Sequence, residues 1–178
     1  KVPDEDARVE VERYVKPKQT KWPRVDFIVG NPPFIGSKRI RDRLGDGYFE
    51  ALRNSFDNLP GDSDLVSYWW AKATKLASQK HVRRSGLITT NSLSQSAGQA
   101  MITSAFGGPD PVSIVFVVAD HPWRDTETDA AVRVAMTVVS AGLHEGRRLA
   151  VCDDGNASIS AEERGYINAD LSVGVAAF

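Results

Sequence analysis

The sequence predicts an α/β fold: a mostly parallel sheet flanked by helices, with an antiparallel β-hairpin at its end. Three observations lead there. Short apolar, β-rich runs recur at residues 25–29, 86–90, 112–118 and 131–139. Between the first two, apolar residues fall at helical spacing, and a second helical stretch separates 86–90 from 112–118. Only a short polar loop separates the last two runs, so they pair antiparallel. Strands that alternate with helices favour parallel pairing, because each crossover lays its helix on a face of the sheet.

Residues 1–23 are charged and polar. Arg8-Val9-Glu10-Val11-Glu12 alternates as a short edge strand would, and Lys16-Pro17-Lys18 reads as a loop. Val25 to Val29 reads as a buried strand. Gly30-Asn31-Pro32-Pro33 then stops it, because consecutive prolines fix φ and remove two backbone donors. The residue before each proline is held extended. The result is a stiff loop at the carboxyl end of a strand, carrying the Asn31 amide and the Phe34 ring. In an open α/β sheet that edge is where ligands bind. A purely structural reading of the same residues is a turn that ends a strand, with Phe34 filling the core.

Lys38, Arg39, Arg41 and Arg43 follow within six residues, interspersed with Asp42 and Asp46. They read either as a solvated loop or as contacts to phosphates, which fix register without reading sequence. Residues 48–52 are able to start a helix, and Leu59-Pro60-Gly61-Asp62 breaks the chain. Ser63-Asp64 looks like an N-cap for a helix over 64–79, in which Leu65, Tyr68, Trp69, Ala73, Leu76 and Ala77 recur at helical spacing. Trp69 and Trp70 are adjacent and cannot share a face, so one is expected in the core and the other against a neighbouring domain. Arg83 and Arg84 read as a surface turn. Strand 86–90 ends in Asn91-Ser92, residues that either line a site or cap the helix expected over 94–105. The strand over 112–118 leads to His121-Pro122-Trp123 and a polar loop over 124–129. The strand over 131–139 ends at Ala141-Gly142. Beyond it a strand over 148–152 and a turn over 153–156 are the last clear signals, with 168–178 uncommitted.

At 178 residues, 42% of them hydrophobic, the chain is long enough for one domain with a substantial core. A net charge of −1 excludes a whole-chain electrostatic footprint for nucleic acid, though not local basic patches. Cys152 is the single cysteine, which rules out an internal disulfide and fits a reducing, cytoplasmic setting. No apolar run approaches the roughly 18 residues of a membrane span. His81, His121 and His144 are isolated, so no metal site is expected. There is no nucleophile elbow and no phosphate loop. The amino terminus lacks both a starting Met and an apolar signal region, and reads as cut from something longer.

Asp26-Phe27-Ile28-Val29-Gly30-Asn31-Pro32-Pro33-Phe34 resembles the catalytic motif of S-adenosylmethionine-dependent amino methyltransferases, the Asn/Asp-Pro-Pro-Tyr/Phe group. Asp64 to Ala73 looks like the helix after that motif in adenine-N6 DNA methyltransferases, and Gly86 to Leu93 looks like their next strand and turn. The hairpin carrying His121-Pro122-Trp123 and Ala131-Val132-Arg133-Val134-Ala135 is similar to large bacterial restriction-modification polypeptides. The resemblance spans residues 25–140.

The resemblance implies a Rossmann-like class I methyltransferase fold and transfer of a methyl group from S-adenosyl-L-methionine to N6 of a flipped adenine in double-stranded DNA. It makes Asn31, Pro32, Pro33 and Phe34 the catalytic residues. Phe34 and Trp123 would stack on the base; for Trp123 the plainer alternative is packing over the sheet edge. Phosphate contacts would come from Lys38, Arg39, Arg41 and Arg43. The family's Gly-rich cofactor loop and acidic strand end are missing from residues 1–24, so the cofactor site is expected mostly upstream, with Asn31 touching it. Residues 1–142 are then the second half of a catalytic domain, and 143–178 a linker or the start of a target-recognition region. The partners implied are DNA, the missing amino-terminal segment and the recognition domain, and the fragment by itself is expected to be inactive. The rival enzyme readings place the same motif on cytosine N4, an rRNA base or a protein glutamine. A non-catalytic interaction module is the reading from another class.

Overall fold

The computed structural model describes residues 13–57, 59–124, 131–152 and 158–174. The alternating run 8–12, most of the polar loop after Arg124, and the turn at 153–156 lie outside them. In chain order the elements are β1 (Phe27–Gly30), α1 (Ser37–Leu44), α2 (Asp46–Asn54), α3 (Leu65–Ser78), β2 (Arg84–Thr90), a 3-10 turn (Asn91–Ser94), α4 (Ser96–Phe106), β3 (Val112–Arg124), β4 (Ala131–Ala141), β5 (Gly146–Val151), β6 (Ile159–Ile167) and β7 (Val173–Gly174).

The strands form a seven-stranded sheet in the order β1-β2-β4-β3-β5-β6-β7. The α/β class expected from the sequence is present. The mostly parallel character holds only in part. β1–β2 and β3–β5 are parallel, whereas β2–β4, β3–β4, β5–β6 and β6–β7 are antiparallel. The cause is the tight β3–β4 hairpin. β4 returns along β3 and inserts between β2 and β3, so two strands of common direction are separated by one of opposite direction. The hairpin is also not the end of the sheet, because β5 joins β3 on its far side and β6 and β7 follow.

Helices α3 and α4 cover one face. Trp70, Ala73 and Ala77 of α3 and Ile102 of α4 meet Leu87, Ile114, Val117, Ala135 and Val139 of the strands in one buried cluster. Trp70 is 1% exposed, and its indole N–H donates to the Thr137 hydroxyl at 3.0 Å, which satisfies both groups in the core. Its neighbour Trp69 is 40% exposed and lies against Trp22 of the same chain, at 5.6 Å between ring centroids. Of the two adjacent tryptophans, Trp70 is thus the one in the core and Trp69 the one turned outward.

The stretch 35–62, read as a long loop, holds α1 and α2. Gly45, at φ 82°, turns the chain directly from one helix into the next, a backbone conformation that costs glycine little. Ile40 and Phe49 are the only buried residues of these helices, and they pack with Leu65 at the start of α3. Ile35 and Leu52 pack on the same small cluster. The chain just after Phe34 is thereby seated against the amino end of α3.

Val25 to Val29, expected to be a buried strand, is instead a strand over Phe27–Gly30 with one face open, because no described layer covers that side of β1. Phe27 is 56% and Val29 86% exposed, while Ile28 between them packs on the core. No described strand pairs with the outer edge of β1.

Candidate active site

Because β1, β2 and β3 share one direction, their carboxyl ends reach the same edge of the sheet. Gly30 of β1 pairs with Leu87, three residues before the end of β2. The Asn31–Phe34 loop therefore leaves the sheet beside the last residues of β2. Thr90 and His121 both pair with Val134 of β4, so His121 stands level with the end of β2. Trp123 pairs with Val132, two residues further out. The hairpin thus rises past the sheet edge and carries Trp123 with it. Three groups singled out from the sequence come together here: the Asn31–Phe34 loop, the Asn91–Ser92 turn, and His121 with Trp123.

Within the loop, Pro32 is buried and Phe34 half-buried, while Asn31 and Pro33 are exposed. Among the described residues the Asn31 side chain engages no hydrogen-bond partner. Its amide oxygen is available to a ligand. The Ile35 N–H donates to the Pro33 carbonyl at 3.2 Å, and the Leu65 N–H donates to the Ile35 carbonyl at 2.9 Å. The prolines stiffen the loop and these bonds anchor its far end.

On β2 and its turn, Ser92 and Thr90 point their hydroxyls at Asp64, at 2.8 and 3.3 Å. Ser92 is therefore not a helix cap. Ser94 donates to both the carbonyl and the side-chain oxygen of Asn91, at 2.8 and 2.9 Å, which closes the 3-10 turn. The Asn91 amide faces Asp120 at 3.4 Å, and Asp120 also accepts from Arg133. The turn is pressed against α4 at Gly98, where a Cβ would fall 2.1 Å from the Leu93 carbonyl oxygen. Only glycine allows that approach.

On the hairpin, Trp123 is 37% exposed and meets His121 edge to face at 6.5 Å. A register shift between Val118 and His121 re-aims this part of β3. The His121 Nδ1 is buried and has no described partner.

The basic residues after the motif lie on α1. Arg41 is held by Asp46 at 2.7 Å and Glu50 at 2.6 Å and sits over the Phe49 ring at 4.3 Å. The hydrogen bonds its guanidinium donates to these carboxylates raise its pKa above the ordinary arginine value. It clamps α1 to α2. Lys38, Arg39 and Arg43 are exposed on the same helix.

Asp64, read from the sequence as part of a helix cap, uses its side chain to join the start of α1, just after the motif loop, to the end of β2. Its signal was hidden because an aspartate before a helix is explained well enough by capping. No group of three or more metal-ligating side chains occurs among the described residues.

A family model described as the DNA-methyltransferase domain of MmeI matches residues 2–151. Among solved structures, the chain is similar to the type IIL restriction-modification enzyme MmeI in complex with DNA. That match has 24% identity and a TM-score of 0.62, and covers 84% of this chain and 20% of that one. It is also similar to a modification subunit of a putative type I restriction enzyme from Vibrio vulnificus YJ016, at 13% identity and a TM-score of 0.51, over 75% of this chain and 27% of that one. The chain thus spans about a fifth of MmeI and about a quarter of the type I subunit. No curated protein matches it.

Proposed function

This chain belongs to the family of the MmeI DNA-methyltransferase domain, and from that premise we propose that it holds the acceptor half of an adenine-N6 methyltransferase active site. The observation that supports this most is the meeting of the Asn31–Phe34 loop, the Asn91–Ser92 turn and Trp123 at one sheet edge.

An exocyclic amino nitrogen is a poor nucleophile, because its lone pair is delocalised into the base. The Asn31 side-chain oxygen and the Pro32 carbonyl accept its two hydrogens and draw the nitrogen toward a tetrahedral shape. No ionised base is needed at the outset, since orientation and fixed dipoles lower the barrier. Flipping the adenine out of the duplex costs a few kcal/mol. Stacking on Phe34 returns about 1–3 kcal/mol, by analogy with other base–aromatic contacts. Trp123 closes the opposite face of the base. Lys38, Arg39 and Arg43 hold phosphates, while Arg41 braces the helix that presents them.

S-adenosyl-L-methionine, when bound, supplies an electrophilic methyl group on a sulfonium. The described residues offer it one wall only, Gly30 and Asn31 beside the open edge of β1. They include neither a Gly-rich loop after a strand nor an acidic residue ending one beside that wall. The remainder of its pocket belongs on a preceding segment that pairs with β1 and covers Phe27 and Val29.

The test uses the full polypeptide that carries this chain. Incubation with duplex DNA and labelled cofactor should yield N6-methyladenine, and Asn31→Ala should abolish transfer without unfolding the protein. Methylated cytosine as the product would select the N4 reading, and retained activity in Asn31→Ala would sink the mechanism. Calorimetry on the chain alone should detect no micromolar binding of the cofactor.

A further inference from the structure

Asp64 occupies the N-cap of α3, where an aspartate ordinarily accepts from the second or third amide of its own helix. It makes no such bond. Its Oδ1 accepts the Ser37 N–H at 2.9 Å, and its Oδ2 accepts from Ser92 at 2.8 Å and Thr90 at 3.3 Å. Next to it, the Leu65 N–H holds the Ile35 carbonyl. The carboxylate thus gives its own helix no side-chain cap bond and ties the start of α1 to the end of β2. Phe34 is three residues from one attachment, and Asn91 lies between the two hydroxyls of the other.

We propose that Asp64 is a positioning residue for methyl transfer, fixing the Asn31–Phe34 loop against the Asn91–Ser92 turn. The proposal rests on the amino-group reading above. Charge-assisted hydrogen bonds are short and directional, which suits a brace between two loops. The Leu65 N–H bond and the packing of Ile35 hold the far end of the loop to α3, and the Asp64 carboxylate adds the link to the end of β2. Among the described residues no strand pairs with the outer edge of β1, and one backbone bond, from the Ile35 N–H to the Pro33 carbonyl, closes the loop internally. Release of the brace leaves the substrate contacts present and their alignment poor. A misplacement on the order of 1 Å lowers a rate by about 100-fold.

The experiment measures single-turnover methyl transfer in the full polypeptide for wild type, Asp64→Asn, Ser92→Ala and the double variant. Asp64→Asn keeps an acceptor for Ser37 but puts an amino donor where Oδ2 was. Its transfer rate should fall about 10- to 100-fold. Cofactor KM and DNA Kd should hold within about twofold, and Tm within about 2 °C. Ser92→Ala should lower the rate in the same direction, and the double variant should fall short of the sum, as for two ends of one contact. A full rate in Asp64→Asn overturns the proposal. So does a loss matched by equal losses in DNA affinity or Tm, which would make the residue merely structural. If Asn31→Ala keeps its activity, the amino-group reading fails and takes this one with it. If Asn31→Ala is dead while Asp64→Asn is normal, only the positioning role falls.

Discussion

On one face of the sheet Leu87, Thr89, Ala135, Thr137 and Val139 are buried beneath α3 and α4. On the other, Phe27 and Val29 are exposed and Ile88, Met136 and Val138 are half-buried, with Val134 near the β2 end the buried exception. The side chains of the two faces are about equally apolar, so composition does not set them apart; the covering layer does. The less covered face coincides with the edge of β1 beside Asn31 that no described strand pairs with.

Substitutions on the two faces should therefore behave differently. The largest loss is expected for Trp70→Ala, which empties a fully buried indole site and should cost about 3–5 kcal/mol in urea denaturation. Gly98→Ala, on the same covered side, forces a methyl group into the Leu93 carbonyl and should cost about 1–3 kcal/mol, with the 3-10 turn displaced. Thr137→Val preserves shape but strands the Trp70 indole N–H, for about 1–3 kcal/mol. The smallest effect belongs to the open face: Val29→Ser should change the stability of this chain by no more than about 0.5 kcal/mol. The same Val29→Ser change in the full polypeptide should cost more, and equality between the two settings would break the comparison.

The four principal strands and helix α3 were legible because their signals are local. Val112 to Val118 is a continuous apolar run, and Leu65 to Ala77 keeps strict helical spacing. Helix α1 was not legible. Ile40 is its only buried residue, so no apolar stripe betrays it, and a helix that exposes Lys38, Arg39 and Arg43 looks like a charged loop. β6 was hidden for a similar reason. Ile159 to Arg164 is exposed along its length, and Ala161-Glu162-Glu163-Arg164 has helix-forming composition. Cross-strand ion pairs from Arg147 to Glu162 and from Arg148 to Glu163 hold it in place, and a one-dimensional reading has no access to those. In the site, the Asn31–Phe34 loop was legible from its prolines. The Asp64 brace was not, because its partners lie 27 and 28 residues away in sequence.

The unpaired edge of β1 also bears on how the chain behaves at the bench. An edge with no described strand partner, flanked by the exposed Phe27 and Val29, is a template for another strand. Expressed by itself, the chain offers that template to its own copies. Light scattering should rise with protein concentration, and a lysine at position 29 should suppress it by placing a charge on the edge.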